Sequence, residues 1–525
     1  MLDSVSRSDP ASPRPLRTEF HDVLVLGSGF AGLCMAIQMR DAGIENFVVL
    51  ERAEEIGGTW RDNHYPGCAC DVQSHLYSFS FAPKHDWTRA FAGQAEIQSY
   101  LLDCVERFEL RPKVRLGADM RRCAWDEGRQ RWTVDTADGR RFEARVVVSA
   151  MGPLSNPAYP EIPGIEDFRG VRFHSADWDH DYDLKGKRVA VIGTGASAIQ
   201  FVPRVAQEVA ALHLYQRTPP WIVPKPDREF GRLERAAFAH VPGLQRARRN
   251  LIYWTLEARV LGFAVHPRLM KVFERFARRH LRKQVADAEL RAKLTPDYTI
   301  GCKRILLSDD YYPALTRDSV EVVTQGIARA TATGIVDQTG RERAVDAIIY
   351  GTGFRVQDLV PPGSIFGREG QDLHARFKAT PEAYKGTAVA GFPNFFFLLG
   401  PNTGLGHSSM VYIIESQVAY VLDALRKMGR KGWTSIEVRP EVEAGFNRAL
   451  REKTDGAVWT SGCRSWYLDE EGRNTTLWPD FTFRFRRQTA HFDDLAYRIR
   501  AKGEPGVENV ETTDTPRLAT DAVAT

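Results

Sequence analysis

Residues 22–51 read DVLVLGSGFAGLCMAIQMRDAGIENFVVLE. An apolar run over 22–26 has the length of a strand and ends on Gly27-Ser28-Gly29-Phe30-Ala31-Gly32; helical apolar spacing follows over 31–42, and a second apolar run over 47–50 ends on Glu51. Strand, glycine turn, helix and strand make a βαβ unit. Gly27 permits the tight turn, Gly29 lets backbone approach a pyrophosphate, and Gly32 allows the helix to pack on the strand, so the anion rests on the helix N-terminus. Glu51 stands where a carboxylate accepts from both ribose hydroxyls, which predicts an unphosphorylated ribose, as in FAD or NAD.

A second unit follows. Its strand, 189–192, leads into Gly193-Thr194-Gly195-Ala196-Ser197-Ala198, then a helix over 198–209 and a strand over 212–215. The second strand ends on Gln216-Arg217-Thr218, with no acid at the ribose position. A guanidinium and a hydroxyl there suit a 2′-phosphate, so NADPH is expected.

Two such units predict an α/β fold with two dinucleotide-binding domains, both Rossmann-like. Between them, 131–136 and 141–149 flank the turn Ala137-Asp138-Gly139 as a hairpin does. The Pro-rich stretch 153–163 can be neither helix nor central strand and marks a boundary. The short apolar run 395–400 suits a buried strand. From about 233 to 294 the chain is helical in pattern and strongly basic, which predicts an inserted subdomain with a solvated Lys/Arg face; docking on a membrane through that face is the alternative.

Lys and Arg total 71 against 67 acids, too mixed for a nucleic-acid partner. No apolar run reaches the length of a signal peptide or a membrane span, so a cytoplasmic protein without membrane association is expected. The seven cysteines are scattered and odd in number, and no disulfide framework is expected. Cys68-Ala69-Cys70 lacks the neighbours of a zinc site and the spacing of a thioredoxin motif, so no metal is expected.

The link is followed by Phe168-Arg169-Gly170-Val171-Arg172-Phe173-His174-Ser175-Ala176-Asp177-Trp178-Asp179. This resembles the FxGxxxHxxxW fingerprint of type I Baeyer–Villiger monooxygenases, part of the flavin-containing monooxygenase superfamily. Residues 57–71, GGTWRDNHYPGCACD, are similar to a second motif of that family, as are Tyr350-Gly351-Thr352-Gly353-Phe354, the Gly400-Pro401-Asn402 turn and Ser465-Trp466-Tyr467. The resemblance spans about residues 20–495, and Met151 stands where the family more often carries threonine. It implies an FAD-binding domain at 21–155 and 380–500 and an NADP-binding domain at 156–379 with a helical insert at about 230–295; Ser/Pro/Arg-rich and Gly/Thr/Ala-rich composition without apolar periodicity predicts flexible tails at 1–20 and 501–525.

The implied reaction uses NADPH and O2 to insert one oxygen atom beside a ketone carbonyl through a C4a-peroxyflavin, with sulfoxidation as a possible side activity. By resemblance Arg304 is the catalytic arginine, able to stabilise an anionic peroxide because it keeps its proton. Asp71 holds it, and Lys303 contacts the NADP phosphate. Gly58, Thr59, Trp60, Tyr77 and the Met120 backbone join Phe30, Ala31 and Glu51 around FAD. Trp466 hydrogen-bonds the nicotinamide nucleotide, while Phe168, Gly170, His174 and Trp178 belong to the linker, His174 as a positioning residue. His407 opens a helix near the flavin with no chemistry assigned to it. The rivals are an N- or S-oxidising flavin monooxygenase, a flavin disulfide reductase, for which Cys34, Cys68 and Cys70 have the wrong spacing, and a non-catalytic docking module.

Overall fold

The computed structural model describes residues 18–379, 381–463 and 465–502. Most of the tails expected at 1–20 and 501–525 lies outside these residues. The chain is already in a strand at Glu19 and leaves its last one at Ala501.

Two sheets carry the dinucleotide-binding units. The first has eight strands and runs Ile365–Phe366, Met120–Asp126, Arg131–Thr136, Arg141–Ser149, Glu19–Leu26, Phe47–Leu50, Val114–Arg115, with Phe395–Phe397 also paired to Arg141–Ser149. Its central strands are parallel: Val23 lies opposite Phe47 on one side and Val146 on the other. The apolar run here is continuous because both faces are covered. Val23 and Val25 pack beneath the helix Phe30–Asp41, while Leu24 and Leu26 pack with Trp132, Phe142 and Phe395. The hairpin forms as expected, Trp132 opposite Ala144, with Gly139 at φ 85° in its turn.

The second sheet has five parallel strands in the order Val320–Val323, Ala211–Tyr215, Arg188–Ile192, Ala347–Tyr350, Val171–His174. It too is covered twice: Val189 and Val191 face the helix Ala198–Val205, Ala190 and Ile192 the opposite layer. That helix ends four residues earlier than its spacing predicts. Beyond it the bonds mix i→i+3 and i→i+4, Gln207 N to Arg204 O and Val209 N to Val205 O, and Ala210 N is taken up by Lys187 O to start the next strand.

The helices Arg232–His240, Leu244–Glu257, Met270–Gln284 and Ala288–Lys293 form the expected insert between strands of the second sheet. The Pro-rich link is stitched to the segment after Tyr350: Ala158 N donates to Gly353 O at 2.9 Å and Thr352 Oγ1 to Ala158 O at 2.5 Å.

One expectation is overturned. Cys302 and Cys463 are joined as a disulfide across 161 residues of chain, and the other five cysteines are free. The fold brings the two residues together, a contact that spacing along the chain does not encode.

Candidate active site

The first nucleotide cradle is built from absent side chains. Gly27 has φ 101°, and a Cβ on Gly32 would lie 1.9 Å from Gly27 O, so the turn and the helix close only with glycine there. Gly29 and Gly58 meet backbone to backbone, a Cβ on Gly58 falling 3.1 Å from Gly29 Cα, which leaves a side-chain-free surface at the N-terminus of Phe30–Asp41.

Glu51 closes this cradle and is buried. Its carboxylate accepts from Ser28 Oγ at 2.6 Å, Ser28 N at 3.0 Å, Ala53 N at 3.0 Å and Arg61 Nη1 at 2.9 Å. Burial pushes its pKa up, but these donors and the Arg61 charge outweigh burial and leave it below the ordinary carboxylate range. An ionised acceptor is thus fixed at the strand end. Ala118 N donates to Glu51 O at 2.8 Å, which brings Met120, at the start of its own strand, into this neighbourhood.

An aromatic group adjoins the cradle. Trp60, in the short helix that Thr59 begins, donates from Nε1 to Tyr77 OH at 3.0 Å, and the Phe30 ring lies 5.0 Å from Tyr77. Ala31 is buried behind Phe30.

In the second unit Gly193 has φ 108°, and a Cβ there would lie 2.4 Å from Gly351 O. Gly195 and Ala196 are exposed, Ser197 leads into the helix, and Ala198 is buried beneath it. Thr194 Oγ1 donates to Thr218 O at 3.1 Å, which holds Gln216-Arg217-Thr218 against the glycine turn. Lys303 approaches the same place. Burial lowers its pKa first, and the Arg217 charge lowers it further, so two cations converge where an anion would relieve both.

Arg304 follows Lys303 directly. It donates to one oxygen of Asp71 from Nε at 2.8 Å and from Nη2 at 2.5 Å, and from Nη1 to Leu405 O at 3.3 Å. The Asp71 charge raises the Arg304 pKa well above the ordinary arginine range. Both side chains are half-buried. Asp71 sits at the end of the 65–71 loop, lashed to the helix Ala198–Val205 by Gln200: Tyr65 OH donates to Gln200 Oε1 at 2.9 Å, and Gln200 Nε2 donates to Ala69 O at 2.9 Å.

Tyr467 completes the group. It is fully buried beside Arg304: burial pushes its phenol up to about 12, and the Arg304 guanidinium next to its hydroxyl opposes that rise. Trp466 lies against it, ring centroids 4.4 Å apart. At 44% exposure Trp466 is no core tryptophan, and its ring is open to a ligand. The Cys302–Cys463 bridge ties the segment bearing Lys303 and Arg304 to the segment bearing Trp466 and Tyr467.

His174 is fully buried at a strand end, its Nδ1 accepting from Ala176 N at 3.0 Å. Burial lowers its pKa, and its ring contacts Tyr159 of the Pro-rich link and Phe354. Phe168 and Trp178 are core residues, Trp178 packing on Phe201 of the helix Ala198–Val205, and a Cβ on Gly170 would meet Asp346 O at 2.4 Å. His407 is buried, its Nε2 3.5 Å from Glu257.

Arg61, Gln200 and the role of Tyr467 are not legible in the motifs. Tyr467 had a signal, being next to Trp466 in a quoted triplet, whereas Gln200 had none. Cys68 and Cys70 are thiols whose pKa values burial raises, Cys68 to about 11, the reverse of a redox-active thiolate. No group of His, Cys, Asp and Glu among the described residues could hold a metal ion.

Residues 24–231 match the family model for pyridine nucleotide-disulphide oxidoreductases. The chain is 56% identical over 489 residues to a Baeyer-Villiger monooxygenase of Pseudomonas aeruginosa, covering 93% of each chain. It is 49% identical to one of Streptomyces coelicolor, over 91% of this chain and 92% of that one. Among solved structures, cyclohexanone monooxygenase from Rhodococcus bound to NADP+ superposes with a TM-score of 0.83 at 27% identity, covering 92% of this chain and all of the other. An oxidised steroid monooxygenase bound to NADP gives 0.80 at 32% identity, covering 90% and 97%. OTEMO in complex with FAD and NADP gives 0.81 at 25% identity, covering 92% and 100%.

Proposed function

Because the chain belongs to the type I Baeyer–Villiger monooxygenases, we infer that the Arg304–Asp71 pair is its reaction centre. The enzyme is an FAD- and NADPH-dependent monooxygenase that inserts one oxygen atom next to a ketone carbonyl, giving an ester or lactone. The observation that carries the residue assignment is a guanidinium held by one carboxylate oxygen, with N–H groups left on both terminal nitrogens, beside a buried phenol.

The residues present fit both cofactors. The Gly29–Gly58 surface accepts a backbone-close pyrophosphate and Glu51 a ribose diol, which suits FAD. Arg217 and Lys303, two cations set together at the second turn, suit the 2′-phosphate of NADPH, and the exposed Trp466 offers its indole to the nicotinamide nucleotide. We assign the first sheet, with 21–155 and 380–500, to FAD and the second, within 156–379, to NADP.

Bound FAD, reduced by NADPH, supplies the electrons that activate dioxygen. Arg304 supplies a charge that proton loss cannot remove. An anion about 4 Å from it gains on the order of 4 kcal/mol at an effective dielectric near 20, roughly a thousandfold in rate if the interaction exists only in the transition state. Asp71 fixes the direction of the guanidinium, and Tyr467 keeps its proton up to about pH 12, so it can donate toward a carbonyl oxygen. The buried aromatic packing of Phe263, Trp459 and Tyr467 behind the site limits water there.

A product-identified screen of linear, cyclic and aryl ketones with NADPH and O2 tests this reading. Esters or lactones are expected. Failure of every ketone alongside oxidation of amines or sulfides would replace it with N- or S-oxygenation.

A further inference from the structure

The helix Met270–Gln284 has two apolar stripes where a helix on a protein surface needs one. Met270, Ala277 and Leu281 are buried. The second stripe, Leu269, Val272, Phe273 and Phe276, follows i, i+3, i+4, i+7 spacing and is open to solvent at 46%, 63%, 41% and 53% exposure. Leu261 and Val265, in the turn just before it, are exposed as well.

Charge says what covers this stripe. At 100° per residue Arg275, Arg279 and Lys283 run along one edge of it, and none of them has an ion-pair partner among the described residues. Glu274 is the only acid between 258 and 286, and Arg278 pairs with it at 2.9 Å. An exposed Val/Phe ridge with an unpaired basic edge is complementary to a surface that is apolar inside and anionic at its rim. No helix among the described residues is long and apolar enough to cross a membrane, which leaves docking in the interface plane.

We propose that Leu261–Lys283 is a membrane-docking element that seats the enzyme on anionic phospholipid. The sequence reading expected a solvated basic face and no membrane association. It could not tell the buried apolar stripe from the exposed one. The inner side of the element packs on the segment that leads to Arg304: a Cβ on Gly301, three residues before it, would lie 2.9 Å from Phe263 Cε1 and 3.0 Å from Met270 Cε. Docking therefore seats the segment that leads to Arg304 behind a lipid phase in which lipophilic ketones concentrate. This last step rests on the function proposed above; the docking itself does not.

The test is flotation of the FAD-loaded enzyme with phosphatidylcholine vesicles, with and without phosphatidylglycerol. Binding is expected only with phosphatidylglycerol, weakening as salt rises. Phe273→Ser with Phe276→Ser should cut partitioning at least about tenfold, and Arg275→Gln with Arg279→Gln should cut it too and make what remains less dependent on salt. Both double variants should oxidise a water-soluble ketone at the parent rate, which shows that they are folded. Absence of binding to anionic vesicles would overturn the proposal. So would conversion of a dimer to a monomer by the Phe variants, which would make a second copy of the chain the occupant. Flotation without ketone oxidation would instead count against the proposed function alone.

Discussion

Arg304 gives two of its N–H groups to a single oxygen of Asp71, 233 residues earlier in the chain. The carboxylate thereby fixes the plane of the guanidinium and leaves its outer N–H groups directed elsewhere. Asp71→Ala removes that anchor while the cation stays. A hydrogen bond to a charged group contributes about 1.5–3 kcal/mol, so ketone turnover should fall roughly 10- to 150-fold. The KM for NADPH should change little, and Asp71→Asn, which still accepts, should fall less. Steady-state kinetics on one ketone checks the ordering, and equal losses in both variants would contradict it.

The pair Arg217 and Lys303 predicts cofactor choice. Arg217→Ala should raise the KM for NADPH about 10- to 100-fold, as loss of a charge-assisted phosphate contact does, and leave that for NADH within about twofold. Equal shifts for the two cofactors would place the 2′-phosphate elsewhere.

The Cys302–Cys463 bridge makes a count. Thiol titration of the unreduced protein in denaturant should find five reactive thiols, since five cysteines are free; seven would exclude the bridge. Cys463→Ser should lower the unfolding free energy by a few kcal/mol, as loss of a cross-link over a long loop does. It should also raise the KM for NADPH, because the bridge holds the Trp466 segment to the Lys303 segment.

Glu321 gives a pH dependence. The Arg343 guanidinium, bonded to it at 2.8 Å from both Nε and Nη2, lowers its pKa to about 2 from an ordinary 4.5. A depressed carboxyl stabilises the fold above the unfolded value and loses that contribution as pH falls toward the folded one. With its side chain a third exposed, solvent screening reduces the effect to about 1 kcal/mol. Glu321→Gln should therefore melt lower than the parent at pH 7, and the gap should narrow below pH 4.5. A gap that widens on acidification would reverse the assignment.

The first nucleotide turn was legible because Gly27 and Gly32 answer backbone demands set within six residues. Gly27 needs its positive φ and Gly32 its missing Cβ whatever the rest of the chain does. Arg304 was not legible in that way. Lys303-Arg304 reads locally as a solvated basic pair, and only motif resemblance gave it a role, because Asp71 reaches it through the fold. The disulfide was missed for the same reason, and Trp466 could have been core by composition alone. The exposed stripe on Met270–Gln284 was invisible because periodicity reports that a helix has apolar faces without saying which of them finds a partner.

Rapid mixing of Arg304→Ala with NADPH, followed by O2 and ketone, tests the central claim most directly. Flavin bleaching should proceed within about twofold of the parent, while ester or lactone should fall on the order of a thousandfold. Product formed at the parent rate would show that the guanidinium at 304 is not what makes oxygen insertion possible.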